Sequence, residues 1–429
     1  MNVRPTPVRR GIAVTLLAFV LAGTVTVRAQ EFDWQGSVEG TGSGRFAKYL
    51  DEADFNGSVT VSLLLKSLLE QTETRTVELF VQPSYTWTDT RPYLVNLDRA
   101  EAAVRYSGFG GGAVLRGSAG RFTLREKSEL IVTHPIDGVE ARLSSAPVQA
   151  RLAAGYTGLL LNPSSTIRVS ETDVRESSDN DAFFGPRRLL ALAEVTVPAI
   201  LWRQSVTGAY LANVDLRDAE STEDTVNSHY IGAVVDGPLL PGLFLDTAVY
   251  LSPATVEVGD SSTTTMGLLA SLRLRYFRPA WNSSRIGLRA VLVRGVEDTD
   301  RFYVISERMA SMVASVPLEN VIYAELSYSL RPLGGAARRT MRDIQTTLTG
   351  RTLLRANTDI PVDATAAKAT GDGPYIGSEA ALEVGWRVLS DLGVSLSGGV
   401  FVPGTGDAGA FTDERTTELL GRLQVSASF

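Results

Sequence analysis

Past residue 30, apolar and polar residues alternate with a period of two in segment after segment. At the end of the chain, Leu419, Gly421, Leu423, Val425, Ala427 and Phe429 are apolar or glycine, while Arg422, Gln424, Ser426 and Ser428 between them are polar. Val59, Val61, Leu63 and Leu65 form a similar row, as do Val77, Leu79, Val81, Tyr85 and Trp87. Further rows run from Val148 to Tyr156, Leu268 to Tyr276, Ile322 to Leu330 and Ala380 to Val388. Successive side chains of a strand point to opposite faces, so each row predicts a strand with one apolar and one polar face. Helical spacing fits none of them as well.

Polar connections separate the strands, and they alternate in length. Long ones fall near 41–56, 88–97, 124–135, 158–188, 216–226, 253–262, 295–316, 355–375 and 405–415. Short ones fall at 70–73, 107–111, 144–147, 198–201, 237–242, 278–282, 331–337 and 390–393, several with the Gly, Pro, Asn or Asp of tight turns. Nine long and eight short connections predict about 18 antiparallel strands with both ends of the chain on the short-turn side; 16 is the next count. No polar linker precedes a further globular block, so a single all-β domain over 30–429 is expected.

A soluble sandwich also alternates, and the aromatic residues separate the two cases. Tyr85, Trp87, Tyr106, Tyr156, Tyr276, Tyr328 and Trp386 lie on the apolar face near strand ends, where an interfacial girdle would hold them rather than in the middle of a core. With its last strand ending on Phe429, the chain resembles the bacterial outer-membrane β-barrels, whose long loops face outward and short turns face the periplasm. The resemblance implies a transmembrane barrel in the bacterial outer membrane. It also implies that Phe429, Val425 and Leu423 form the signal read by the barrel-assembly machinery.

The start of the chain agrees. Arg4, Arg9 and Arg10 precede an apolar run from Gly11 to Val25, and Val27-Arg28-Ala29 fits a small-x-small cleavage site. Residues 1–29 are therefore expected to be a cleaved signal peptide, with the mature chain starting at Gln30. The run is shorter than the roughly 20 residues that span a bilayer. Its removal takes four arginines (4, 9, 10, 28), leaving 41 − 4 = 37 basic against 48 acidic side chains, a formal charge of −11. That balance argues against nucleic acid as a partner. The chain has no cysteine, which excludes disulfides and a lipid-modified Cys. A mean hydropathy of +0.04 suits a barrel as well as a soluble protein.

Chemistry is sparse. Gly108 to Gly112 lacks the Lys-Ser/Thr of a phosphate loop and is expected to be a turn. The two histidines, His134 and His229, sit in no metal or catalytic pattern. The acid-rich run at 171–181 is more simply a solvated loop than a weak Ca²⁺ site. Neither enzyme activity, nor a cofactor, nor a bound metal is expected.

A barrel of this size encloses more space than side chains fill, so the inward residues become the functional surface. The alternation turns Arg99, Glu101, Arg105, Arg116, Glu140, Arg142 and Arg151 inward, then Arg273, Arg275, Arg285 and Arg289, with Glu194, Asp215, Asp236, Asp246, Glu325, Glu379 and Glu383 on the remaining wall. Walls of like charge are how pores select ions. The strand ending at Gly120-Arg121, the loop after it and the strand starting at Asp137 resemble the arrangement that carries the inward-folded loop of general porins. That resemblance implies a constriction loop from Phe122 to Ile136, offering Glu126, Lys127 and Glu129, with Leu130-Ile131-Val132 docking on the wall. The expected function is passive diffusion of small hydrophilic solutes or ions, with mild anion preference. The alternative is a structural or adhesive surface barrel with a closed lumen. Outer-membrane lipid is the expected surround, and a homotrimer is an open assembly.

Overall fold

The computed structural model describes residues 31–429 apart from 48–53, 90, 92, 110–111, 180, 202, 218–223, 298, 361–362, 365–366, 369–370 and 412–414. The expected signal peptide and Gln30 lie outside the described residues. Eighteen strands form one antiparallel sheet. The first nine are β1 (Glu31–Ala47), β2 (Asp54–Gln71), β3 (Arg75–Thr88), β4 (Leu94–Phe109), β5 (Ala113–Arg125), β6 (Thr133–Ser144), β7 (Gln149–Tyr156), β8 (Arg188–Leu201) and β9 (Gln204–Asp215). Then come β10 (Asp224–Leu240), β11 (Leu243–Val258), β12 (Ser261–Arg278), β13 (Ser284–Gly295), β14 (Val321–Leu330), β15 (Gln345–Arg355), β16 (Tyr375–Arg387), β17 (Leu392–Pro403) and β18 (Glu418–Ser428). Each strand pairs with the next, and β1 pairs with both β2 and β18, which closes the barrel.

The alternation becomes the two faces of the wall. Val139, Leu152, Leu326, Leu348, Leu396 and Leu423 point outward and are 49–61% exposed. A water-soluble protein rarely leaves so continuous an apolar surface bare, whereas the lipid-facing band of a membrane barrel must be apolar. Trp87, Tyr106, Tyr328 and Trp386 lie on the same face near strand ends, as expected. At the closing seam, Gly36 and Phe429 exchange backbone hydrogen bonds of 2.8 and 3.0 Å. A Cβ on Gly36 would lie 2.3 Å from the Phe429 ring, so the terminal aromatic seats on a position only glycine leaves open.

Connections on the side of the two ends run 72–74, 110–112, 145–148, 202–203, 241–242, 279–283, 331–344 and 388–391. Those opposite run 48–53, 89–93, 126–132, 157–187, 216–223, 259–260, 296–320, 356–374 and 404–417. The expected long connection at 253–262 is instead a two-residue turn at Gly259 and Asp260, with Gly259 at φ +55°. The strands continue through polar pairs such as Thr255 with Thr264 and Glu257 with Ser262. Beyond the bilayer neither face meets lipid, so a strand there loses its apolar row and looks like loop. The β1–β2 pairing likewise extends to Arg45 opposite Asp54, inside the connection expected at 41–56. The expected short turn at 331–337 is a longer segment, 331–344.

Candidate functional site

Three of the outer connections turn into the lumen and bind one another. In 126–132, the Lys127 amide donates to Glu194 on β8 at 2.7 Å, and Lys127 Nζ lies 3.0 Å from Asp236 on β10. The Ile131 carbonyl accepts from the amides of Ile305 and Ser306 in 296–320, at 3.0 Å each. That connection bonds in turn to 157–187, with the Glu307 amide donating to the Thr166 carbonyl at 2.7 Å. Its tip reaches distant strands. Glu379 on β16 accepts from Ser311 Oγ and from the Val313 amide at 2.9 Å, and Arg45 on β1 donates to Ser315 Oγ at 2.7 Å. Leu130, Ile131, Val132, Ile167, Ile305 and Val313 form a buried apolar core inside the barrel.

The 157–187 connection is held by buried charge. Its helix α1 (Glu171–Ser178) starts with a capping box between Ser170 and Asp173. Arg188 on β8, fully buried, ion-pairs with Asp173 at 2.7 Å and Asp215 at 2.9 Å. Arg217 contacts Asp173 and Asp215 at 2.7 Å each, and Glu176 at 3.2 Å. This corrects the expectation of a solvated loop at 171–181: arginines take up its central carboxylate. No group of acids and histidines among the described residues is placed to hold a metal.

Strand register then gathers the inward charges into rows. Arg105, Arg116, Arg142 and Arg151 stand directly opposite one another across β4 to β7, and Glu194 on β8 follows. Like charges in direct opposition repel, and nearby carboxylates on the same inward face relieve them. Glu101 accepts from Arg99 at 2.6 Å and ion-pairs with Arg116 at 3.6 Å; Glu140 pairs with Arg142 and, at 3.0 Å, with Arg151. Arg99, Glu101, Arg116, Glu140 and Arg142, with Asp98 and Phe122, line a polar cavity of about 490 Å³. Across the barrel a second row runs Asp236, Asp246, Arg273, Arg289, Glu325, Arg351 and Glu379 over seven consecutive strands. Arg351 binds both Glu325 and Glu379, the latter at 3.2 Å. Arg273, Arg275, Arg285 and Arg289 have no ion-pair partner among the described residues.

The sequence-derived residues thus fall into two sets. Arg99, Arg116, Arg142 and Arg151 are paired with Glu101, Glu140 and Glu194, while the β12–β13 arginines and Arg105 have no ion-pair partner among the described residues. Glu129 sits at 3.9 Å from Arg125 and stays solvated. Glu126 corrects the expectation of a lumen-facing acid. It is buried, and its carboxylate accepts from the Glu129 and Ile131 amides at 2.7 Å each, tying its own loop. Burial pushes its carboxyl above the ordinary carboxylate range, against the pull of those amides. Phe122–Arg125 and Thr133–Ile136 belong to β5 and β6, so the inward loop is shorter than Phe122 to Ile136.

Two features escaped the sequence pattern. Arg351 lies in Gln345–Arg355, whose repeated threonines blur the alternation. The inward course of 296–320 had a usable signal: Phe302, Val304, Ile305, Val313, Val316 and Leu318 are too apolar for a solvated loop.

No protein-family model matches the chain, and no curated protein matches it in sequence. Solved structures do match. OpdO of Pseudomonas aeruginosa is similar over 94% of this chain and 98% of its own, at 14% identity and a TM-score of 0.59. OccAB3 of Acinetobacter baumannii is similar over 93% and 99%, at 10% identity and 0.58. OpdF (OccK2) of Pseudomonas aeruginosa, in complex with glucuronate, is similar over 92% and 98%, at 12% identity and 0.56. The fold is that of an outer-membrane barrel. At these identities the likeness is one of architecture: eighteen strands, closed, with an apolar band turned to lipid.

Proposed function

We propose that this barrel is an outer-membrane channel through which small hydrophilic solutes diffuse passively, with preference for anions. The observation that carries the reading is the β12–β13 wall, where Arg273, Arg275, Arg285 and Arg289 face the lumen with no carboxylate in ion-pair contact among the described residues, four cations against the two acids, Asp246 and Glu325, that stand opposite Arg273 and Arg289 on the neighbouring strands. On the β4–β8 wall, by contrast, Glu101, Glu140 and Glu194 offset the arginines. Opposed walls of unequal charge sort solutes by sign and dipole, with no chemical step. The docked 126–132 and 296–320 segments supply the narrowing. OpdF is solved in complex with glucuronate, and a carboxylated sugar of that kind has the sign this lumen favours.

The test is swelling of proteoliposomes in isosmotic glucose and glucuronate. Faster entry of glucuronate at low salt, lost when the four arginines become glutamine, is the expected result. Equal entry in the native protein contradicts the anion preference, and no swelling with either sugar contradicts the channel.

A further inference from the structure

On the side of the two ends, seven connections run five residues or fewer, and one does not. The segment 331–344 between β14 and β15 carries Arg331, Arg338, Arg339 and Arg342 against the single acid Asp343. Its short helical turn, α2 (Arg339–Arg342), is fixed in place by Trp386 on β16. The Trp386 indole, on the outward face, donates to the Thr340 carbonyl at 2.9 Å. That bond sets α2 against the outside of the wall, beside the lipid-facing aromatic and away from the pore mouth. The Arg331 amide donates to the Asn282 carbonyl of the neighbouring turn at 2.9 Å. In that turn Arg278 lies 5.5 Å over the ring of Trp281, itself 56% exposed.

The result is a surface of mixed chemistry. Leu333 and Met341 are exposed next to Arg331, Arg338 and Arg342, none of which has an ion-pair partner among the described residues. Tryptophan belongs at the bilayer interface. Arginine near an anionic membrane surface is attracted to it, and the guanidinium fork matches a phosphate. The patch also continues the apolar outer wall, which already faces lipid.

We propose that segment 331–344, with Trp281 and Trp386, binds anionic phospholipid headgroups of the periplasmic leaflet. The arginines take the phosphates, while Leu333 and Met341 insert among the first methylenes of the acyl chains. This interaction is independent of what crosses the lumen.

The test compares the full-length protein with a variant carrying Arg331→Gln, Arg338→Gln and Arg342→Gln, each released from mixed micelles holding phosphatidylglycerol and phosphatidylcholine in equal amounts. Native mass spectrometry counts the lipid retained. The native protein is expected to keep phosphatidylglycerol preferentially. At roughly fivefold per arginine, removing three is expected to cut that preference by up to about a hundredfold. Equal retention of the two lipids by the native protein, or an unchanged preference in the variant, overturns the proposal. The chain has no cysteine, so Met341→Cys carrying a spin label reports depth without a background signal. Collisions with oxygen above those with a water-soluble nickel chelate are expected in vesicles; the reverse order overturns the proposal, and this measurement decides if the arginine variant fails to fold.

Discussion

Replacing Glu379 with glutamine tests whether 296–320 is a docked constriction. The carboxylate is 4% exposed and faces four donors: Ser311 Oγ, the Met312 amide at 3.3 Å, the Val313 amide at 2.9 Å and Arg351 Nη1 at 3.2 Å. Glutamine keeps the shape but has one oxygen and brings two N–H groups, so at least one donor meets another donor. A hydrogen bond to a charged group contributes about 1.5–3 kcal/mol, and an orphaned buried donor costs about 1–3 kcal/mol. Losing one such bond while the others weaken therefore costs the docked state about 2–4 kcal/mol. That is a rise of roughly 30- to 700-fold in the undocked fraction. Arg351 keeps Glu325, so the wall itself is undisturbed. Single-channel recording of Glu379→Gln should show larger, flickering currents, and trypsin should cut faster after Arg308 within the loop. Native current, native noise and native cleavage together would refute the docking account.

The alternation is tested at adjacent positions. Leu423→Arg sets a cation on the lipid face and should cost roughly 2–4 kcal/mol in a urea titration of the vesicle-folded protein. Gln424→Arg, whose parent side chain donates to Glu39 at 2.9 Å, gains a carboxylate partner and should fold as the native protein does; equal damage from both would break the two-faced wall. Gly36→Val places side-chain atoms where the Phe429 ring lies and should slow assembly as strongly as Phe429→Ser, judged by the heat-modifiable band in isolated outer membranes. Amino-terminal sequencing of that protein should begin at Gln30, and retained Met1 would refute cleavage after Ala29.

Strand number, closure and the sign of each face were legible because a period of two survives wherever one face meets lipid and the other does not. Legibility failed where that contrast ends. Above the bilayer, Thr255 to Val258 and Ser261 to Thr264 are strand yet look like loop, since both faces are wet. The inward direction of Arg105, Arg116, Arg142 and Arg151 followed from parity. Their alignment into one row did not, because register is set by turn geometry and bulges that no single strand records. The role of Glu126 was misjudged for a related reason. An acid in a loop looks solvated until the amides around it are known, here those of Glu129 and Ile131.

The central claim, a water-filled lumen whose charge asymmetry selects anions, is tested most directly by reversal potential in planar bilayers under a salt gradient. The native protein should give discrete current steps and a reversal potential of anion-preferring sign, fading as salt shortens the screening length below about 8 Å. Replacing Arg273, Arg275, Arg285 and Arg289 with glutamine should move that potential toward cations while the barrel keeps its heat-modifiable mobility. Silence at high protein concentration, or a reversal potential that ignores the four substitutions, would contradict the account.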